Sequence, residues 1–299
     1  MGDSDAAPNK MVADARLAVI GKLFDTGRAI SGGWYLVTHP AAQPVARIQG
    51  TPQEIQHIQT ARIRQADFSH DVAAQGNAAY AQAQLVQTAT MQQAAIGAVA
   101  LPAVHTVLPI FAGTSDAALL NGVGTYSPQQ RMGQGNYIMM SHNLVQGSAL
   151  LNRLNQIAAG DRFYLTDFVH VYIYQTTFSQ RIDERQTQWL AAPTTRRAAV
   201  ATLFRCDGPE GTPWRWLVQG RLVAKTSAVR QHFTVQPVQS RTAAVNVHPA
   251  RAYTRLDRFA LRSYRAALTY PKQVTLIAVI ALALYSSGVW YLTRHRVNQ

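Results

Sequence analysis

At 299 residues, with 47% hydrophobic and 14% charged side chains, the chain is long enough for one or two domains with a buried core, and its composition excludes an intrinsically disordered protein. A single cysteine excludes an internal disulfide framework. The formal charge of +13 suits an anionic partner, yet no zinc-finger spacing, aromatic ribonucleoprotein motif or helix-turn-helix pattern accompanies the basic residues, so no nucleic-acid partner is expected.

Residues 1–50 open with the polar "MGDSDAAPNK" and continue as a weakly apolar stretch broken by Lys22, Asp25 and Arg28, a pattern of neither a signal peptide nor a transmembrane helix. "TPQEIQHIQTARI" starts a helix: Thr51 is the N-cap, Pro52 takes the first helical position and Glu54 closes a capping box. The Ala/Gln-rich "AAQGNAAYAQAQLVQTATMQQAA" is also helical in pattern, with little core of its own. Residues 1–95 therefore read as a partly helical N-terminal arm.

From Ile96 the texture changes to short apolar runs, "IGAVALP", "LPIFAG" and "GNYIMMS", separated by Gly, Pro and Asn, as in an all-β domain of short strands. "RFYLTDFVHVYIYQTTF" supplies two more strands on either side of Thr166 and Asp167. "AAVATLFRC" and "WRWLVQGRLV" form a further pair joined by the loop "DGPEGTP". One helix interrupts the series at "SALLNRLNQIAAGD", where Leu150, Leu151, Leu154 and Ile157 share a face.

Residues 224–273 form a basic linker ending in an amphipathic helix. Arg251, Arg255, Arg258, Arg262 and Arg265 step by four, three, four and three, which draws one basic stripe suited to anionic lipid. From Gly211 onward there are 13 Lys or Arg residues and a single acid, Asp257. The uncharged "VTLIAVIALALYSSGVWYL", residues 274–292, reaches about 28 Å as a helix and reads as a transmembrane span with Trp290 and Tyr291 at one interface. A short basic tail, 293–299, follows. Counting basic residues on either side of the span would put the large domain in the cytoplasm.

Cys206 fits two readings, a buried apolar filler or a reactive thiol. Alternation along 201–206 puts Thr202, Phe204 and Cys206 on one face and Leu203 and Arg205 on the other. Antiparallel pairing across the short loop brings Arg215 back beside Cys206, where a cation stabilises a thiolate or an oxyanion. A nucleophilic thiol also needs an acid/base partner, and nine histidines are available. His142 stands out because it ends the strand "NYIMM" and begins the polar "SHN", a strand-end position that displays reactive groups.

Five motifs in order, "IGAVALPAVHTVLPIFAGTSDAALLNGVGT", "QGNYIMMSHN", "LNRLNQIAAGDRFYLTD", "ATLFRC" and "RWLVQGRLV", resemble a class A sortase over residues 96–223. The resemblance implies a mainly β fold, an eight-stranded sortase barrel with short helices, in a cysteine transpeptidase of the bacterial cell envelope. It matches Cys206 to the nucleophile, His142 to the general acid/base and Arg215 to the residue that holds the peptide and the oxyanion. The implied reaction cleaves a Leu-Pro-x-Thr-Gly sorting signal between Thr and Gly and passes the acyl group to a peptidoglycan precursor amine. Surface proteins bearing that signal are the implied partners.

The chain departs from the family pattern at Arg205, where the usual residue before the cysteine is Thr. Two alternatives stay open on sequence: a pilus-type or specialised sortase, or a weakened sortase fold serving as a membrane-bound binding module. Asp167, Asp183 and Glu184 make no acidic cluster and read as solvated loop residues, so neither metal nor cofactor is expected. The resemblance implies a location at the cell membrane with the catalytic domain outside the cytoplasm, opposite to the orientation that the count of basic residues gives.

Overall fold

The computed structural model describes residues 25–32, 34–36, 45–69, 72, 75–144, 149–195, 198–209, 211–227, 244–248, 253–280, 283 and 286. The described residues fall into two compact units, one within Val37–Ala252 and the other drawn from Met1–Leu36 and Tyr253–Gln299.

The larger unit begins with strand β1 (Val45–Gln49) and helix α1 (Pro52–Gln65). α1 starts where its capping box dictates. Thr51 Oγ1 accepts from the Glu54 amide at 3.3 Å, and the Glu54 carboxylate accepts from the Thr51 amide at 2.7 Å. Helix α2 (Asn77–Ala94) buries Tyr80, Ala81, Ala83 and Met91, so its small residues let it lie close against its neighbours. The buried Arg62 of α1 donates to the carbonyls of Gln92 and Ala95, which closes the C-terminus of α2 and fixes the start of the barrel.

Strand β2 (Ala95–Leu101) continues directly from α2, followed by β3 (Thr106–Phe111), the short helix α3 (Asp116–Asn121), β4 (Val123–Thr125) and β5 (Gly135–Ser141). After a turn-rich segment come β6 (Arg162–Thr166), β7 (His170–Asp183), β8 (Ala199–Cys206) and β9 (Trp214–Ser227). A last strand, β10 (Ala244–His248), pairs antiparallel with β1 in a separate two-stranded sheet. The eight strands β2 to β9 close into a barrel in the order β2-β3-β4-β5-β8-β9-β7-β6. The pairs β3-β4 and β5-β8 are parallel and the remaining pairs antiparallel, so closure leaves no edge strand.

Inward-facing Val99, Leu108, Ile110, Met139, Leu165, Ala201, Leu203 and Val218 are fully buried and fill the barrel. Each large aliphatic among them contributes about 1.5–3 kcal/mol by leaving water. Phe163 and Tyr174, register partners on β6 and β7, stack with centroids 5.3 Å apart. Gly220 makes room for that pair: a Cβ there would lie 2.5 Å from Phe163 Cε1.

Residues 150–157 differ from the expected helix. They form a turn and a single 3₁₀ turn, Leu154–Gln156, because Leu150 takes φ +54° and Asn152 engages both backbone groups of Leu144 at 3.3 and 2.8 Å. Leu150, Leu151, Leu154 and Ile157 are nonetheless all buried. Strand β9 also runs four residues past Val223, into what reads by composition as linker.

In the smaller unit, helix α4 (Arg255–Thr269) is capped by Thr254 and Asp257 and buries Ala260, Leu261 and Tyr264, while Arg255, Arg258, Arg262 and Arg265 are exposed. Residues 271–280 are also helical, with Leu276, Ile277, Val279 and Ile280 exposed. Among the described residues no helix is long and apolar enough to cross a membrane. Most of the expected span 274–292, linker residues 228–243 and the tail 293–299 lie outside the described residues.

Candidate active site

Register brings the three expected site positions to one rim of the barrel. Parallel pairing of β5 with β8 sets Met140 opposite Phe204 and Ser141 opposite Arg205, so His142, the next residue, leaves the sheet beside Cys206. Antiparallel pairing of β8 with β9 makes Cys206 and Arg215 direct register partners. Neighbouring strands are about 4.8 Å apart. His142, Cys206 and Arg215 thus occupy three adjacent strands at the same end.

Each side chain has a distinct environment. His142 is only 5% exposed; its amide donates to the Leu119 carbonyl at 3.3 Å, which turns the chain toward α3, and its Nε2 lies 3.2 Å from Asp116 Oδ1. Burial, the larger influence, pushes the imidazole below its ordinary value, and the Asp116 carboxylate pulls it back up. The net result is a ring held neutral near pH 7 with an anion ready to stabilise its protonated form. Asp116 in turn accepts from Gln75 Nε2 at 2.7 Å.

Cys206 is half-buried at the end of β8 and forms no disulfide. Arg215 donates through Nη1 to the carbonyls of Thr212 and Trp214 at 2.7 and 2.9 Å, which fastens it to the β8-β9 loop. Its Nη2 meets Glu184 Oε2 at 2.5 Å. Glu184, exposed in the turn after β7 as its sequence setting implied, is also the counter-ion of Arg215. Asp183 pairs instead with Arg185 at 2.7 Å, which holds its carboxyl down at about 2. Asp167 is likewise engaged, accepting from the amides of Val169 and His170 and from the Tyr172 hydroxyl.

Beside Arg215 an open cleft of about 380 Å³ is lined by Arg181, Ile182, Asp183, Arg185, Gln188 and Trp214. Arg181 caps the Trp214 ring at 4.8 Å and pairs with Asp207 at 3.2 Å, on the strand face opposite Cys206. Among the described residues no group of three or more His, Cys, Asp or Glu side chains gathers to hold a metal ion.

Arg205 lies on the face of β8 opposite Cys206, as strand alternation requires, and is 5% exposed. Asp116, Glu184 and the buried contacts of Arg205 are the features that sequence reasoning missed. A Ser-Asp pair opening a short helix was the one available signal for Asp116; nothing local marked Glu184.

A closed eight-stranded barrel presenting a thiol, an imidazole and a guanidinium on one rim is a scaffold built for cysteine chemistry. A sequence model described as the sortase domain matches residues 99–223. Sortase A of Listeria monocytogenes is 36% identical over 131 residues, which cover 44% of this chain and 58% of that protein. The putative sortase YwpE of Bacillus subtilis is 35% identical over 94 residues, 31% of this chain and 89% of that one. The solved structure of Listeria monocytogenes sortase A aligns with a TM-score of 0.43 at 33% identity, covering 46% of this chain and 92% of that one. The chain belongs to the sortase family, and its barrel is the sortase fold. It spans 58% of the length of the Listeria monocytogenes relative.

Proposed function

We propose that this protein is a membrane-anchored cysteine transpeptidase that joins proteins carrying a Leu-Pro-x-Thr-Gly-like sorting signal to a peptidoglycan precursor amine. The observation that carries the reading is the strand register that puts His142, Cys206 and Arg215 side by side.

In the first step the Cys206 sulfur attacks the Thr carbonyl carbon. The S–C bond forms, the carbonyl electrons move onto oxygen, and neutral His142 takes the thiol proton. Arg215 faces the developing oxyanion, exchanging its contact with Glu184, a half-exposed pair worth about 0–1 kcal/mol, for the substrate charge. Collapse breaks the C–N bond, and imidazolium His142, held by Asp116, gives its proton to the leaving Gly amine. In the second step the acceptor amine attacks the thioester, loses its proton to His142, and the released thiol recovers it. Atoms and protons balance with no cofactor.

Helix α4 rests on anionic lipid through Arg255, Arg258, Arg262 and Arg265, with residues 274–292 spanning the bilayer and the barrel outside the cytoplasm. Incubation of the full chain in detergent with a sorting-signal peptide and hydroxylamine tests the reaction. The expected product is the hydroxamate of the Thr-terminated fragment; unchanged turnover in Cys206→Ala overturns the mechanism.

A further inference from the structure

Arg205 is a buried guanidinium with all three nitrogens engaged. Its Nε donates to the Leu151 carbonyl at 2.9 Å and its Nη2 to the Asn152 carbonyl at 3.2 Å. Its Nη1 reaches the Cys206 carbonyl at 2.7 Å, Asp207 Oδ1 at 3.0 Å and Asn143 Oδ1 at 3.5 Å. Asp207 neutralises the charge, which a buried cation requires.

These acceptors belong to two segments. Asn143 directly follows His142, and Leu151 and Asn152 belong to the same excursion, since Asn152 is bonded both ways to Leu144. Cys206 and Asp207 end β8. Asn143 adds a second tie across the gap, from Nδ2 to the Gly208 carbonyl at 3.2 Å. One side chain therefore stitches the loop leaving His142 to the strand end bearing Cys206. The Thr usual at this position is too short to span both segments. Lysine carries the charge without the planar fork that reaches five acceptors at once.

We propose that Arg205 is a positioning residue that fixes the separation of the His142 ring and the Cys206 sulfur. This rests on the reading of His142 and Cys206 as the reacting pair. Arg205 is then a substitute for the family's Thr by a different physical route, and its presence marks a working site rather than a weakened one.

The test compares the full-length wild type with Arg205→Met, Arg205→Lys and the milder Asn143→Ala, which removes the two ties made by Asn143 without burying an unpaired charge. Two readouts are taken, both normalised to the folded fraction measured by circular dichroism. The first is kcat and KM for sorting-peptide cleavage. The second is the pH dependence of Cys206 alkylation by iodoacetamide, which needs no peptide. Arg205→Met is expected to lower kcat by about tenfold or more with KM little changed, because misplacing a catalytic pair by about 1 Å costs up to about a hundredfold. Its alkylation profile departs from that of the wild type. Arg205→Lys falls between wild type and Arg205→Met, and Asn143→Ala shifts both readouts in the same direction by less. Where Arg205→Met does not fold, Asn143→Ala decides. An unmoved alkylation midpoint with kcat within about twofold of wild type overturns the proposal, even where melting temperature falls. Should the wild type cleave no sorting peptide, the alkylation arm alone decides: a shifted midpoint sustains the clamp while the transpeptidase reading fails.

Discussion

Replacing Asp116 with Asn keeps the size of the side chain and removes the only anion that contacts the His142 ring among the described residues. At the 3.2 Å separation of Nε2 and Oδ1, Coulomb attraction ranges from about 5 kcal/mol at an effective dielectric of about 20 to about 1 kcal/mol in water. Asp116 is 51% exposed, so the watery end of that range governs. The direction follows from the opposing influences on His142: burial depresses it and Asp116 restores it, so Asp116→Asn depresses it further. Imidazolium then forms less readily when the leaving amine needs a proton, and kcat falls about fivefold, the equivalent of about 1 kcal/mol. NMR titration of the His142 ring, alongside the pH profile of kcat/KM, measures both consequences. The acid limb, which reports protonation of the neutral base, moves to lower pH. An unchanged or raised His142 titration with kcat within about twofold of wild type refutes the reasoning.

Removing the counter-ion of Arg215 with Glu184→Gln frees its guanidinium for the peptide, and KM for the sorting peptide falls about two- to fivefold, consistent with a half-exposed pair worth about 0–1 kcal/mol; steady-state kinetics showing an unchanged or higher KM contradict this. Gly220→Ala forces a Cβ to 2.5 Å from Phe163 Cε1 and 2.9 Å from the Gln175 carbonyl, so thermal unfolding moves down by about 2–4 °C per kcal/mol for an overpacking cost of about 1–3 kcal/mol. An equal melting temperature shows that the β6-β9 packing is looser than described. Because the folded protein depresses the pKa of His142, the unfolded chain binds an extra proton, and stability declines as pH falls through the unfolded imidazole value of about 6.5 toward the lower folded one. Melting curves of wild type and His142→Gln across that window check the effect: the wild type loses more stability on acidification, and parallel curves count against a buried, depressed His142.

Most of the strands were readable because their apolar runs are set off by Gly, Pro and Asn, while their closure into an eight-stranded barrel followed from the family resemblance alone. β4 was not, since three residues, Val123–Thr125, are too few to show a period. The stretch 150–157 misled for a definite reason. Apolar residues three and four apart bury equally well in a succession of tight turns, and nothing local shows that Leu150 adopts a left-handed conformation. At the site, the opposition of Cys206 and Arg215 followed from a hairpin, which is local. The adjacency of His142 to Cys206 depends on parallel pairing between strands some sixty residues apart, and no local pattern encodes it. Asp116 and Glu184 were hidden for the same reason: their partners lie 26 and 31 residues away. Arg205 looked like a defect in a motif and is instead a satisfied hub, a distinction visible only once its acceptors are in place.

The central claim is that His142, Cys206 and Arg215 act on one carbonyl. Intact-mass spectrometry of the full chain mixed with a sorting-signal peptide, with no acceptor amine added, tests it most directly. The account predicts a thioester adduct of the Thr-terminated fragment on Cys206 that hydroxylamine removes, absent in Cys206→Ala and formed at least about tenfold more slowly in His142→Gln and Arg215→Met. An adduct on another residue, or one that forms at the wild-type rate in His142→Gln and Arg215→Met, contradicts it.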